Sequence, residues 1–154
     1  MSNFVGYNIA LVRRLLKVAL FYAVAGLAAG IFERAFSSFN GFEGSSSLST
    51  MHTHLLMLGM VVHLLVMLFV AVFQVEGDSS LDSFLIIYNF GVLVSVFGAL
   101  WRGVHQVMNS DLAAIGAWYS TAISATSGLG HGLIGAGLLV FFWIAKRALD
   151  RVDA

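Results

Sequence analysis

Four long apolar segments, separated by short polar ones, dominate the pattern of this chain. They cover residues 17–36, 51–73, 84–104 and 120–145. A helix that crosses the hydrocarbon core of a bilayer needs about 20 mostly apolar residues, and each segment is long enough. The pattern therefore predicts an all-α integral membrane protein of four helices. Nothing that remains is long enough for a separate soluble domain, so we expect a single membrane domain over residues 1–154.

The polar segments between the apolar runs predict short connections. Residues 37–49 are rich in serine, and a serine there can cap the second helix. Residues 74–82 are acidic, with Glu76, Asp78 and Asp82. The third connection contains Asn109-Ser110-Asp111, another sequence suited to capping a helix.

The distribution of positive charge predicts the orientation. Six of the eight Lys and Arg residues lie near the two termini: Arg13, Arg14, Lys17, Lys146, Arg147 and Arg151. By the positive-inside rule both termini are cytoplasmic, as an even number of spans requires. We expect a multi-pass protein of the bacterial cytoplasmic (inner) membrane. The basic cluster before the first apolar segment is also typical of a secretory signal, which we interpret here as an uncleaved first helix.

The composition excludes several kinds of chemistry. Only 10% of the residues are charged, against about 25% in a soluble domain, and the net charge is zero, so we expect no nucleic-acid partner. The absence of cysteine excludes disulfides, thiolate ligands, iron–sulfur clusters and covalent heme attachment. The sequence contains no phosphate loop and no Ser-His-Asp arrangement, so it gives no support to hydrolytic chemistry.

Histidines stand at unusual places in the apolar segments. His52 and His54 begin the second span, His131 lies two to three turns into the fourth, and Arg102 and His105 lie near the end of the third. The alternating direction of the helices places all five side chains in the outer part of the membrane. Ionisable groups in membrane segments are usually paired, buried against protein or functional. The pattern therefore suggests that these histidines hold a metal or a heme.

Alternatives remain for each of these histidines. His52 and His54 lie about 200° apart on a helix, so they can serve two sites on opposite sides of it but not one metal. They can instead be interfacial residues that bond to headgroups or loop carbonyls. His131 can be a core histidine bonded to Ser124, Ser127 or a backbone carbonyl.

The other polar residues of the spans can have structural or functional roles. His63, near mid-membrane, has no obvious partner at its depth, which favours a structural role. His105 is either solvated at the interface or a ligand. Arg102 either extends to water or pairs with a heme propionate, for which its guanidinium is better suited than an ammonium group. Gln106, one turn later, can donate to the same carboxylate.

Small residues mark the faces on which the helices can approach closely. On the third helix these are Gly91, Ser95 and Gly98, in line with Arg102. On the fourth helix Gly128 and Gly135 lie on the same face as His131. Besides helix packing, glycines beside a histidine leave room for a flat macrocycle.

Residues 48–60, with the sequence LSTMHTHLLMLGM, resemble the signature of a small, largely uncharacterised family of four-helix bacterial membrane proteins. Residues 88–91, 102–107 and 122–131 match the same pattern, so the resemblance covers nearly the whole chain. It implies a four-helix membrane fold, and the family itself implies no function.

The His-x-His of residues 52–54 is also distantly similar to the motif of heme-copper oxidases and nitric oxide reductases. In that superfamily the two histidines ligate two hemes on opposite sides of one helix, and each subunit consists of three arcs of four helices. The resemblance implies that this chain is like one such arc and forms a homotrimer, with hemes between the helices of one or two subunits. No His-x-x-x-Tyr occurs on the second helix, so we do not expect the superfamily's copper site or its proton-pumping oxygen reduction.

These observations predict a protein that binds b-type heme near the outer face, with His54 and His131 as first-choice axial ligands and His52 next. Two axial histidines favour electron transfer to a redox partner. One axial histidine favours an oxidoreductase or sensor that acts on oxygen or nitric oxide. The first alternative is a copper or zinc binding or transport protein that uses His and Met side chains. The second is a structural or assembly subunit without a cofactor.

Overall fold

The computed structural model describes residues 9–75, 79–108 and 116–152, and the regular structure in these ranges is helical. The helices are α1 (Ile9–Phe39), α2 (Leu48–Val72), α3 (Ser79–Met108) and α4 (Ala117–Val152). Each is long and apolar enough to cross a membrane. For the described residues, the prediction of an all-α architecture with four helices long and apolar enough to cross a membrane is confirmed. The predicted spans lie within these helices, except that α2 ends one residue before Phe73.

The connection between α1 and α2 differs from the predicted serine cap. Ser47 precedes α2, but its side chain makes no capping hydrogen bond, because its backbone is already helical (φ −67°, ψ −7°). Its backbone N–H instead donates to Oε1 of Gln106 at 2.7 Å, which ties the start of α2 to the end of α3. The predicted cap at Asn109-Ser110-Asp111 and the acidic residues Glu76 and Asp78 lie outside the described residues.

The described helices pack in an open row. The most extensive packing is between α3 and α4 and between α1 and α2, and α2 also packs on α3. Within the ranges that the structure describes, α1 and α4 make at most a marginal contact with each other, as do α2 and α4. The row therefore leaves a gap between α2 and α4, with α3 behind it.

Close approach between α3 and α4 depends on residues without a large side chain. A Cβ added at Gly91 would lie 2.7 Å from the backbone nitrogen of Ile134, and one at Gly130 would collide with Ser95. These contacts confirm the predicted close-packing face of α3, formed by Gly91, Ser95 and Gly98. The glycines of α4 that meet this face are Gly130 and Gly137.

A π-helical segment, Leu55–Val61, interrupts α2 between the first histidines and His63. In this segment the backbone N–H of Val62 bonds to the carbonyl of Met57, five residues earlier. The side chain of Tyr22 from α1 lies against Gly59 of the segment so closely that a Cβ at Gly59 would collide with its ring. π-Helical turns within α-helices are frequent near functional sites.

A buried polar network surrounds His63, which is fully buried. Its Nδ1 lies 2.6 Å from the carbonyl of Gly59, and its Nε2 lies 3.1 Å from Nδ2 of Asn89. The same amide group accepts a hydrogen bond from the hydroxyl of Tyr22 at 2.6 Å and donates to the carbonyl of Leu85. The sequence offered no obvious partner for His63, and the structure supplies one in Asn89, within a network that fits the structural role favoured for this residue. The partner lies on α3, and the sequence does not show which residues of α3 lie at that depth.

Candidate cofactor site at the histidine end

Four of the five histidines lie toward the end of the row where α1 and α3 end and α2 and α4 begin, which we call the histidine end. The structure brings His54 of α2 and His131 of α4 together, as the topology suggested. Their ring centroids lie 5.6 Å apart and the ring planes are inclined by 84°. The two imidazoles therefore meet edge to face across the gap between α2 and α4.

Each of these rings is held by a backbone carbonyl four residues earlier on its own helix. Nδ1 of His54 lies 3.0 Å from the carbonyl oxygen of Thr50, and Nδ1 of His131 lies 2.7 Å from that of Ser127. A carbonyl oxygen can only accept a hydrogen bond, so we assign the proton of each neutral ring to Nδ1. Nε2 then keeps its lone pair, as in metal-bound histidines whose other nitrogen donates to a carbonyl. The carbonyl bond predicted as the alternative for His131 is present, and it leaves the ring able to act as a ligand.

A cavity of about 230 Å³, here called the histidine cavity, lies between α2, α3 and α4. It is lined by Ser47, Thr50, His54, Ser95, Gly98, Ala99, Arg102, Ser127 and His131. The hydroxyl of Ser95 is buried and has no hydrogen-bond partner in the described structure. Buried polar groups are nearly always hydrogen-bonded. An orphaned hydroxyl beside two histidines therefore points to a cavity that receives a polar group.

Arg102 is the one cationic side chain among the lining residues of the histidine cavity. Its guanidinium donates to Oγ of Ser124 at 3.2 Å. The other polar lining groups are hydroxyls and the two imidazoles. The cavity therefore suits a ligand with an anionic group at the Arg102 side.

The pair of imidazoles supplies two ligand nitrogens. Zinc sites in proteins usually have four ligands, of which at least three come from the protein. Heme iron takes one or two axial ligands from the protein, since the macrocycle supplies the others. Within the described ranges no group of three or more His, Asp or Glu side chains is placed to hold a metal ion. The donor set is thus the one that an axially ligated heme uses.

His52 faces the other side of α2, as its predicted angle from His54 requires. Its Nδ1 lies 3.2 Å from Oε2 of Glu33, near the end of α1. A cavity of about 470 Å³, here called the His52 cavity, lies between α1 and α2. It is lined by Gly26, Leu27, Gly30, Ile31, Glu33, Arg34, His52 and Leu56. Any group bound by His52 is therefore separate from one bound by His54 and His131.

Two other predicted site residues lie beside the histidine cavity and do not line it. The ring of His105 packs on that of Tyr119, with centroids 4.8 Å apart, and its Nδ1 is buried without a described partner. Gln106 is tied to the start of α2 through Ser47. Gln106 and Arg102 line a third cavity at the same end.

The two predicted glycines of α4 lie on an open face. Gly128 and Gly135 are exposed, as is His131 between them. A Cβ added at Gly128, Gly132 or Gly135 would meet no described atom within 4 Å. Close packing within one chain therefore does not account for Gly128 and Gly135, in contrast to Gly130 and Gly137.

Sequence reasoning did not assign Ser95 or Glu33 to a site. The sequence predicted Ser95 to lie on the close-packing face of α3. Only the structure shows that its hydroxyl has no described hydrogen-bond partner near the histidines. Glu33 is the one acidic residue in the first apolar segment, and that position was a signal for a partner of His52. The hydrogen bonds from Nδ1 of His54 and His131 to backbone carbonyls depend on the rotamers of these side chains, which no pattern in the sequence reveals.

No curated protein and no solved structure matches this chain. One family model, described as "Protein of unknown function (DUF2871)", matches residues 12–148. The match includes all five histidines and most of each helix. The chain therefore belongs to this family of proteins of unknown function.

Proposed function

We propose that this chain binds a b-type heme between α2 and α4, with His54 and His131 as axial ligands, and that it transfers electrons within the membrane. The observation that carries the proposal is the pair of imidazoles, each fixed through Nδ1 on a different wall of one cavity. Two such ligands on separate helices suit low-spin iron, and bound heme would supply one-electron chemistry.

The spacing of the rings supports a shared metal. For metal–nitrogen bonds of about 2.0–2.1 Å, two imidazoles on one ion have centroids from about 5 Å apart in a bent arrangement to about 6.5 Å apart in the opposed arrangement of two axial heme ligands. The 5.6 Å between His54 and His131 lies at the spacing of a bent pair. The two rings would have to move apart by about 1 Å to hold a heme between them.

The space around the pair also supports the proposal. The histidine cavity, about 230 Å³, is smaller than the roughly 300–1,000 Å³ of a typical small-molecule pocket. The exposed face of α4 at Gly128 and Gly135, on either side of His131, would leave room for the rest of a macrocycle, because an added Cβ there meets no described atom within 4 Å. On the α3 side, Arg102 would pair with a propionate, since a guanidinium binds carboxylates through two parallel hydrogen bonds.

The proposed setting is a bacterial inner membrane with both chain termini in the cytoplasm and the histidine end outward. The basic residues near the termini support this orientation. A redox partner would then approach from the outer side. We further propose that the chain is a homo-oligomer, with a trimer favoured by the distant similarity to heme-copper oxidases. A second copy would cover the exposed face of His131, where a polar ring otherwise faces lipid.

A copper ion bound by His54 and His131 is the second candidate. The small volume of the enclosed cavity favours it, because a single ion needs no space for a macrocycle. Imidazole nitrogens are suitable copper ligands. Elemental analysis of protein without a heme spectrum would distinguish this candidate from the first.

The test is an absorption spectrum of detergent-purified protein, oxidised and then reduced with dithionite, together with a pyridine hemochrome assay. We expect a Soret band with sharp α and β bands on reduction, which indicate b-type heme with two axial histidines. A broad spectrum shifted by carbon monoxide would mean a single axial ligand and chemistry on oxygen or nitric oxide. The absence of heme even after reconstitution with hemin would overturn the proposal.

A further inference from the structure

We propose that the third cavity at the histidine end binds a carboxylate or phosphate group through Arg102, Gln106 and Tyr119. This cavity, here called the Arg102 pocket, has a volume of about 190 Å³ and is lined by Arg102, Gln106, Tyr119, Ser120 and Ile123. Its position between the ends of α3 and α4 adds a separate anion site to the proposed heme site.

The Arg102 pocket is positively charged, and no described acidic side chain in its lining neutralises Arg102. Among the described lining residues, Arg102 is the charged side chain and none carries a carboxylate. The described hydrogen bond of its guanidinium goes to the neutral hydroxyl of Ser124. An arginine has five N–H donors in a planar arrangement that matches the oxygens of carboxylates and phosphates. Most of these donors are therefore available to an oxyanion.

Gln106 adds a second donor in a fixed orientation. Its Oε1 accepts a hydrogen bond from the backbone N–H of Ser47 at 2.7 Å. The oxygen of the side-chain amide therefore faces the start of α2. The remaining group, Nε2, can only donate hydrogen bonds. The contact with Ser47 thus leaves the Nε2 donor of Gln106 free of that bond, in a residue that lines the same pocket as Arg102.

Tyr119 supplies the observation that points to a ligand. Its side chain is only 4% exposed, and its hydroxyl is buried with no hydrogen-bond partner in the described structure. Ring contacts with Trp101 and His105 hold the phenol in place. A buried hydroxyl without a partner is unfavourable, and an oxyanion in the pocket would provide the missing acceptor.

Arg102 lines both the histidine cavity and the Arg102 pocket. The oxyanion can therefore come from either of two sources. One is a propionate of the heme proposed above, and this part of the inference rests on the proposed function. The other is the phosphate of an anionic lipid at the membrane surface.

The first arm of the experiment compares hemin with hemin dimethyl ester, in which both carboxylates are blocked. Apo-protein is titrated with each compound and the Kd is obtained from the Soret band. If a propionate binds in the pocket, we expect wild type to prefer hemin by about tenfold. Arg102→Gln and Tyr119→Phe should lose most of this preference. Tyr88→Phe is the matched control, because its hydroxyl is bonded to the carbonyl of Leu58 away from the pocket.

The second arm does not depend on heme. The His54→Ala variant is placed in nanodiscs of phosphatidylglycerol mixed with phosphatidylcholine, and the retained lipids are measured by native mass spectrometry. If a lipid phosphate binds, phosphatidylglycerol is retained preferentially, and Arg102→Gln and Tyr119→Phe abolish this retention. Failure of any heme to bind in the first arm overturns the proposed function, and the second arm still decides on the pocket. The pocket proposal is overturned if folded Arg102→Gln and Tyr119→Phe change neither the hemin preference nor the lipid retention.

Discussion

His54 and His131 meet edge to face at 5.6 Å, although they belong to helices that pack on each other only marginally. The other described ring contact between these helices, Phe69 with Phe141, lies toward the opposite end of the row. Packing between α2 and α4 therefore does not explain the approach of the two imidazoles. The proposed cofactor would give this approach a function, and the first prediction follows from this pair.

Replacing His54 or His131 by alanine should abolish the spectrum of a heme with two axial histidines. Each variant lacks one Nε2 ligand, so we expect either loss of heme or a high-spin spectrum that responds to carbon monoxide. Insertion of the variants into the membrane should be unaffected, because the side chain of His54 is only partly buried and that of His131 is exposed. Tyr88→Phe is the control, since the hydroxyl of Tyr88 bonds to the carbonyl of Leu58 away from the cavity. Wild-type spectra in both single variants would contradict the assignment.

His52→Ala should keep the spectrum that His54 and His131 produce. His52 lies on the opposite side of α2 and faces Glu33 across a separate cavity. If His52 holds a second heme, the variant loses about half of the heme per chain and keeps the rest with unchanged bands. The pyridine hemochrome assay gives this ratio. Complete loss of heme in a folded variant would show that the two cavities are not independent.

Removing the amide of Asn89 should destabilise the fold without changing the proposed site. In Asn89→Leu the hydroxyl of Tyr22 and Nε2 of His63 lose their described partners. Hydrogen bonds between membrane helices contribute about 0.5–2 kcal/mol, so we expect a lower free energy of unfolding by about that amount. A double-mutant cycle with Tyr22→Phe in detergent unfolding experiments measures the coupling. Additive effects of the two substitutions would mean that the hydrogen bond between Tyr22 and Asn89 contributes no coupling energy.

The loss of stability on replacing a glycine of α3 or α4 by alanine should depend on the space around that glycine. Gly91→Ala places a Cβ 2.7 Å from the backbone nitrogen of Ile134, so the helices must move apart. Overpacking of this kind typically costs about 1–3 kcal/mol. Gly132→Ala is the matched control, because no described atom lies within 4 Å of its added Cβ. Thermal unfolding in detergent should separate the two variants, and equal melting temperatures would contradict the close packing.

Much of this architecture follows from patterns in the sequence. The four helices follow from apolar runs long enough for a membrane. The meeting of His54 with His131 follows from their positions in the first halves of α2 and α4, which both begin at the histidine end. The opposite directions of His52 and His54 follow from the 100° turn per residue of a helix. These properties depend on length, order and periodicity, which a single sequence contains.

Other features depend on relative depth and side-chain rotamers, which a single sequence does not contain. The pairing of His63 with Asn89 requires the vertical register of α2 against α3, and the π-helical segment between His54 and His63 affects that register. Gly130 and Gly137 could not be distinguished from Gly128 and Gly135 as packing residues, because the choice depends on which face of α4 meets α3. The orphaned hydroxyl of Ser95 likewise becomes visible only when its surroundings are known.

The open row of helices has a consequence for assembly. His131 and the glycines around it lie at the side of the chain, next to the gap between α2 and α4, and not beneath a loop at its end. If heme binds there as proposed, it can enter laterally from the lipid, where this apolar molecule dissolves readily. The helices can then insert and pack first, and the cofactor can be added afterwards without unfolding. Any subunit that covers this side of α4 would have to join last, and would lock the cofactor in place.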